Sequence, residues 1–262
     1  MKVYLDAGHG TPAYTTATGV RKAADGGAPN GSRYECNDTL KIANVLKTKF
    51  EAQGWSTVLA RTNNSGKFLA ERTAEANATK CDIYLSLHRN SFSNSTANGV
   101  EIWLHSAAPQ RYKDWATKIL ADWKSLGFVN RGVKFGHPKQ GVAEFGVNAN
   151  TNMPSVLLEI GFISNPKDNV LYDTKMNEIC DALVKRCCEF VGVSYKTTTA
   201  VPATPPVNAP TPTQTPPAPV SAAKRYRVQT NIYWGNKAYA EAFATKLSNM
   251  KIDGVSFKVI EE

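Results

Sequence analysis

The sequence has no apolar run approaching the roughly 20 residues that a membrane-spanning helix needs, and Met1 leads straight into the charged, strand-like segment KVYLD. Membrane insertion is therefore not expected, and neither is export by an ordinary signal. Cysteine is sparse: Cys36, Cys81, Cys180, Cys187 and Cys188 are an odd set without C-x-x-C spacing, which reads as reduced thiols made in a cytosol and not as a disulfide framework. A basic block is also missing. The net charge of +9 is spread along all 262 residues, so nucleic acid is not indicated as a partner, and a polyanionic surface fits equally well. One stretch lacks charge and aromatic residues altogether: positions 197–223 hold eight of the fourteen prolines among Thr and Ala. That composition gives a semi-stiff spacer of about 3.1 Å per residue.

The spacer divides the chain into a domain over 1–195, a Pro/Thr-rich linker over 196–223 and a small module over 224–262. With 42% hydrophobic residues, the first part can build a real core. Its opening stretch, KVYLDAGHG, reads as a buried strand that stops at His9 between two glycines. Residues 11–33 follow as a long loop without a period. A helix is predicted from Asn37 or Asp38 to Gly54, with Glu35 just ahead of it, then a strand over 56–61 and a helix over 68–79. The clearest strand, over 82–88, ends on His88.

Another strand is predicted from Val100 to His105, then a helix from Pro109 to Gly127, and an irregular segment over 127–153. Positions 155–160, SVLLEI, form a nearly unbroken apolar run with one carboxylate, Glu159. A helix is predicted from Pro166 to Val191, with a break near Asp173. The order predicts an α/β fold: a mixed, mostly parallel sheet flanked by helices. The module over 224–262 reads as a small β-α-β unit near the lower size limit for independent folding, which points to self-association or docking on a partner.

His9, Glu35, His88 and Glu159 come from four separate places, three of them strand ends. Two neutral imidazoles and one carboxylate suit a three-ligand zinc site with an open fourth position. The remaining carboxylate, Glu159, has no reason to sit in a buried run unless it is paired, metal-linked or catalytic. It is placed to take a proton from a metal-activated water and return it to a leaving amine. Cys36, directly after Glu35, is a softer rival ligand. His105 and His137 lack comparable company and are read as rim or loop residues. Asn90 and Glu101 are candidate substrate contacts, with an exposed strand carboxylate as the plainer account of Glu101. Trp103, Trp115 and Trp123 are read as core. Cys187 and Cys188 are adjacent on a helix and are not both expected to face the core.

The motifs LDAGHG, a glutamate just before the first helix (Glu35, in ECNDTLKIANVL), SLHRNSF, GVEIW and MPSVLLEIGFISNP resemble the zinc-dependent N-acetylmuramoyl-L-alanine amidases of the amidase-3 type over roughly residues 1–192. The resemblance implies a single zinc held by His9, Glu35 and His88, with Glu159 as catalytic glutamate. It implies bacterial peptidoglycan as partner, cut between N-acetylmuramic acid and L-alanine. The stretch YRVQTNIYWGNKAYAEAFATKLSNMKIDGVSFKVI resembles the first half of a SPOR domain, a module that binds peptide-free glycan, with Tyr233 and Trp234 as candidate stacking residues and dimerisation as a source of the missing half. The expected setting is a phage endolysin or a mother-cell autolysin, made in the cytoplasm and acting on the wall after release. A zinc peptidase on wall peptides and a non-catalytic wall-binding protein are the rival readings.

Overall fold

The computed structural model describes residues 1–197 apart from 12, 13, 16–20, 23, 65 and 140. Most of the linker and the whole 224–262 module, with Tyr233 and Trp234, lie outside the described residues. In chain order come strand β1 (Lys2–Ala7), two small hairpins, β2 (Tyr14–Thr15) with β3 (Arg21–Lys22) and β4 (Pro29–Asn30) with β5 (Arg33–Tyr34), and helix α1 (Glu35–Ala52). Then follow β6 (Ser56–Leu59), α2 (Leu69–Ala78), β7 (Ile83–Asn90), β8 (Val100–Leu104) and α3 (Gln110–Ser125). The last group is β9 (Asn130–Phe135), α4 (Gly146–Ala149), β10 (Ser155–Phe162), α5 (Pro166–Thr174) and α6 (Met176–Val191).

Six strands form one sheet in the order β6-β1-β7-β10-β8-β9. β1 runs parallel to β6 and β7, β10 parallel to β7, and β8 parallel to β9, while β8 and β10 meet antiparallel. The sheet is mixed and mostly parallel, as the element order predicts. Period-two alternation assigns its faces. Val3, Leu5 and Ala7 join Ile42, Leu46 and Phe50 of α1, Trp115 and Trp123 of α3, and Ile179 and Leu183 of α6 in the larger core. Tyr4 points the other way, stacking on Tyr84 at 5.0 Å and packing with Ala76, Val147 and Leu157. Trp103 is only half-buried, edge-on to Phe145.

Besides the half-buried Trp103, several expectations change, and the segment 11–33 expected to be a loop holds strands of two short hairpins. The first helix starts at Glu35, two to three residues early, so the carboxylate sits in its first turn. The segment expected to be irregular contains β9 and α4. β9 reads NRGVKF, with no apolar alternation to mark it, because as an edge strand it buries little and is defined by its pairing with β8. Cys187 and Cys188 are both fully buried, since α6 is gripped by α1 on one side and α3 on the other. Glu101 is buried, not exposed. All five cysteines are buried and unbridged. The break near Asp173 is found at Lys175, between α5 and α6. Among the described residues no helix is long and apolar enough to cross a membrane.

A buried ion-pair cluster fastens the start of α1 to the sheet. Asp38 Oδ2 accepts Arg89 Nη1 at 2.6 Å and Arg33 Nε at 2.8 Å. The Arg89 guanidinium is buried over the Tyr172 ring, 4.0 Å from its centroid, and Tyr172 Oη donates to the Asp38 carbonyl at 2.7 Å. Removing the carboxylate leaves a buried cation without its counter-charge. Asp38→Ala is therefore expected to lower unfolding stability by about 3–5 kcal/mol in urea titration, whereas a loss below about 1 kcal/mol would place the pair with weak surface bridges.

Candidate functional site

The site lies where strand ends and the start of α1 converge, on the sheet face covered by α2 and α4. A cavity of about 360 Å³ opens there, lined by His9, Glu35, His88, Asn90 and Glu159, with Leu69, Phe145, Val147 and Leu157 supplying an apolar wall. His9 follows β1 and takes a left-handed backbone, φ 63°, a conformation that costs a non-glycine residue energy and persists only where its surroundings enforce it. Gly8, just before it, serves close approach. A Cβ there would strike His88 Cε1 and lie 2.6 Å from His88 Nε2 and 2.7 Å from the Leu87 carbonyl.

Glu35 sits between the two imidazoles. Its Oε2 is 3.2 Å from His9 Nε2 and its Oε1 is 3.0 Å from His88 Nδ1. Backbone amides fix the carboxylate: Ala28 N–H donates to Oε2 and Arg89 N–H to Oε1, both at 2.9 Å. Burial opposes its charge, but the bonds from His88 and His9 outweigh that cost and hold the carboxyl well below the usual carboxylate range. His9 Nδ1 lies 2.8 Å from Asp25 Oδ1, which also accepts the Gly27 amide at 3.1 Å. With Nδ1–H donated to Asp25, His9 Nε2 is turned toward Glu35 and His88, the arrangement by which a carboxylate orients a ligating histidine.

Glu159, in β10, stands in register between His88 on β7 and Glu101 on β8. Its Oε2 is buried and has no hydrogen-bond partner among the described residues. Desolvation, reinforced by the negative charges of Glu35 and Glu101, raises its pKa well above the ordinary carboxyl value. The cavity thus holds an ionised carboxylate and a carboxyl that prefers its proton, a separation typical of acid/base pairs.

Asn90 lines the cavity, and its Nδ2 donates to Glu101 Oε1 at 3.0 Å. Glu101 itself is set behind it: Oε1 also accepts Trp103 Nε1, and Oε2 accepts Arg131 Nε at 2.8 Å. This geometry makes Glu101 a support for Asn90 and not a wall of the cavity. Cys36 points away, with its Sγ near Asn37 Oδ1. His105 follows β8 and His137 follows β9, neither among the cavity residues. Sequence reasoning missed Asp25, which sits in a loop without any period, and the apolar wall contributed by α4.

Among the described residues, one group of His, Cys, Asp and Glu has ligand atoms close enough to share a metal: His9, Glu35 and His88, all within 4.8 Å of one another. Two imidazoles and a carboxylate suit zinc with an open position. Such a group at two strand ends and a helix start of an α/β sheet, beside a carboxyl that holds its proton, is chemically suited to hydrolysis.

Comparison with known proteins carries this to a family. The chain belongs to the amidase-3 family, described as N-acetylmuramoyl-L-alanine amidase, whose model matches residues 3–185. Among curated relatives it is 32% identical over 170 residues to the N-acetylmuramoyl-L-alanine amidase LytC of Bacillus subtilis, covering 63% of this chain and 30% of LytC. It is 28% identical over 179 residues to the probable cell wall amidase LytH of Staphylococcus aureus, covering 67% of this chain and 52% of LytH. The chain thus spans 30% of the length of LytC and 52% of that of LytH. Among solved structures, the catalytic domain of the amidase CwlV from Paenibacillus polymyxa aligns with a TM-score of 0.61 at 26% identity, covering 74% of this chain and 99% of that one. An N-acetylmuramoyl-L-alanine amidase from Clostridium difficile aligns with a TM-score of 0.62 at 26% identity, covering 73% and 96%.

Proposed function

We propose that this chain hydrolyses the amide between the lactyl group of N-acetylmuramic acid and L-alanine in bacterial peptidoglycan, with one zinc held by His9, Glu35 and His88. The observation that carries the reading is the orphaned Glu159 Oε2 in the same cavity as the His9–Glu35–His88 group. A zinc ion held by these three residues would supply Lewis acidity toward the scissile carbonyl and would lower the pKa of a water. Glu159 moves the proton: Oε2 accepts it from the attacking water and delivers it to the departing alanine nitrogen. Glu35, its carboxylate fixed by the Ala28 and Arg89 amides, contributes the negative charge of the triad. Asn90, held by Glu101, is positioned to donate to substrate, and the apolar wall of Leu69, Phe145, Val147 and Leu157 excludes water from the glycan-peptide junction. The 224–262 module is proposed to hold the enzyme on its wall substrate.

The test is digestion of purified peptidoglycan by the zinc-loaded protein. New L-alanine amino termini are expected, and new carboxyl termini between amino acids would indicate a peptidase instead.

A linked prediction concerns pH. Burial opposes charge on His9, but its bonds to Asp25 and Glu35 outweigh that and raise its pKa from 6.5 to about 10. In metal-free protein at neutral pH His9 therefore carries a proton that zinc must displace. Zinc affinity is expected to rise about tenfold per pH unit from about pH 7 toward 10, read by chelator competition. The stabilisation His9 gives metal-free protein is fully present below 6.5 and lost as pH rises through about 10. A pH-independent zinc affinity across that window would contradict the assignment.

A further inference from the structure

We propose that Arg61 is a positioning residue of the metal centre, holding the His9 turn and the Glu35 helix start at their mutual distance. The proposal rests on the zinc reading above. Arg61 follows β6 and is 4% exposed. No carboxylate lies within salt-bridge distance of it among the described residues; backbone carbonyls take its protons instead. Nε donates to the Ala7 carbonyl at 2.9 Å, and Nη2 reaches the carbonyls of Gly8 at 3.0 Å and Cys36 at 2.6 Å and the Thr39 hydroxyl at 3.0 Å. Nη1 donates to the Asn63 carbonyl and to Asn64 Oδ1, tying the fork to its own turn.

The placement of those acceptors is what gives the residue its role. Ala7 and Gly8 immediately precede His9, and Cys36 immediately follows Glu35, so one planar guanidinium bonds the two chain segments that carry two of the three ligands. A buried cation is costly unless its surroundings satisfy it, and the fixed fork of Arg satisfies carbonyls from several directions at once. The chain wraps it closely. A Cβ on Gly10, whose φ is 86°, would lie 2.8 Å from Arg61 Cζ, and one on Gly66 would lie 3.0 Å from Cδ. Thr39 Oγ1 completes the lattice by donating to the Gly8 carbonyl at 2.8 Å. The chain leading into the left-handed His9 turn is thereby held at the Ala7 and Gly8 carbonyls, while the His9 imidazole is held by Asp25. A lysine keeps the charge but offers one nitrogen where three segments need donors.

The experiment uses the full chain. Arg61→Lys, wild type and a core control far from the site, Ile119→Val in α3, are compared for thermal midpoint without metal, zinc affinity by chelator competition, and the d–d absorption spectrum of the cobalt form. Arg61→Lys is expected to bind zinc about 10–100-fold more weakly with a shifted cobalt spectrum, while Ile119→Val lowers the midpoint and leaves both metal readouts unchanged. Wild-type zinc affinity and spectrum in Arg61→Lys overturn the proposal. If Arg61→Lys does not yield folded protein, Thr39→Val reads the same lattice: severalfold weaker zinc binding supports the proposal, and unchanged binding overturns it. A wild type that binds no zinc defeats the zinc reading itself, an outcome distinct from all of these.

Discussion

Glu159→Gln is expected to lower kcat on peptidoglycan by about 10²–10⁴-fold, the span that positioned proton transfer contributes, while zinc content and fold stay as in the wild type. The amide has the size of the carboxyl and cannot carry the proton between water and leaving nitrogen. Glu159 is not one of the three candidate ligands His9, Glu35 and His88, so metal affinity is not expected to fall. Stability gives an independent reading of the same residue. The folded-state pKa of Glu159 is raised, chiefly by desolvation and then by Glu35 and Glu101. A raised carboxyl leaves stability intact below the unfolded value and removes it as pH climbs toward the folded one. Relative to Glu159→Gln, metal-free wild type is therefore expected to lose stability as pH rises above about 4.3. A Gln variant that still cuts at wild-type rate would remove Glu159 from the mechanism.

Gly8→Ala is the second large effect, and it acts on the ligands through space. A single methyl at residue 8 collides with the His88 ring and the Leu87 carbonyl. The carbonyl belongs to a strand in the middle of the sheet and yields little, so the ring must rotate away. Overpacking of this kind costs about 1–3 kcal/mol of stability, which a folded domain of this size survives. The metal site does not survive it: loss of His88 leaves two ligands, and zinc binding is expected to drop by at least about 100-fold, with activity following. Near-normal zinc affinity in Gly8→Ala would show that the ring has room the structure does not reveal.

How far the sequence alone led can be judged residue by residue. His9, His88 and Glu159 were legible because each interrupts or ends an apolar strand, and a polar group at such a place needs a reason. Glu35 was legible as a helix-start carboxylate, although its place inside the helix was not, since Tyr34 offers no side-chain cap to mark the boundary. β9 was illegible because an edge strand takes its identity from its neighbour and not from its own alternation. Cys188 was misjudged because a helix packed on two sides buries more than one face. Asp25 carries no local signal at all. Its role exists only once the 24–34 loop folds back so that Gly10 N–H meets the Asp25 carbonyl at 2.7 Å and Cys36 N–H meets that of Gly26. Arg61 did leave a trace, as a charged residue closing the strand-like STVLA, but its acceptors are backbone carbonyls and so invisible in sequence.

The account stands most directly on one measurement: zinc stoichiometry of wild type, of a His9→Ala variant and of a Glu159→Gln variant, with the termini released from peptidoglycan by each determined in parallel. About one zinc per chain in wild type and Glu159→Gln, marked loss of zinc in His9→Ala, and L-alanine amino termini from wild type alone is the expected pattern. Full zinc content and activity in His9→Ala, or a wild type that releases other termini or binds the wall without cutting it, would contradict it.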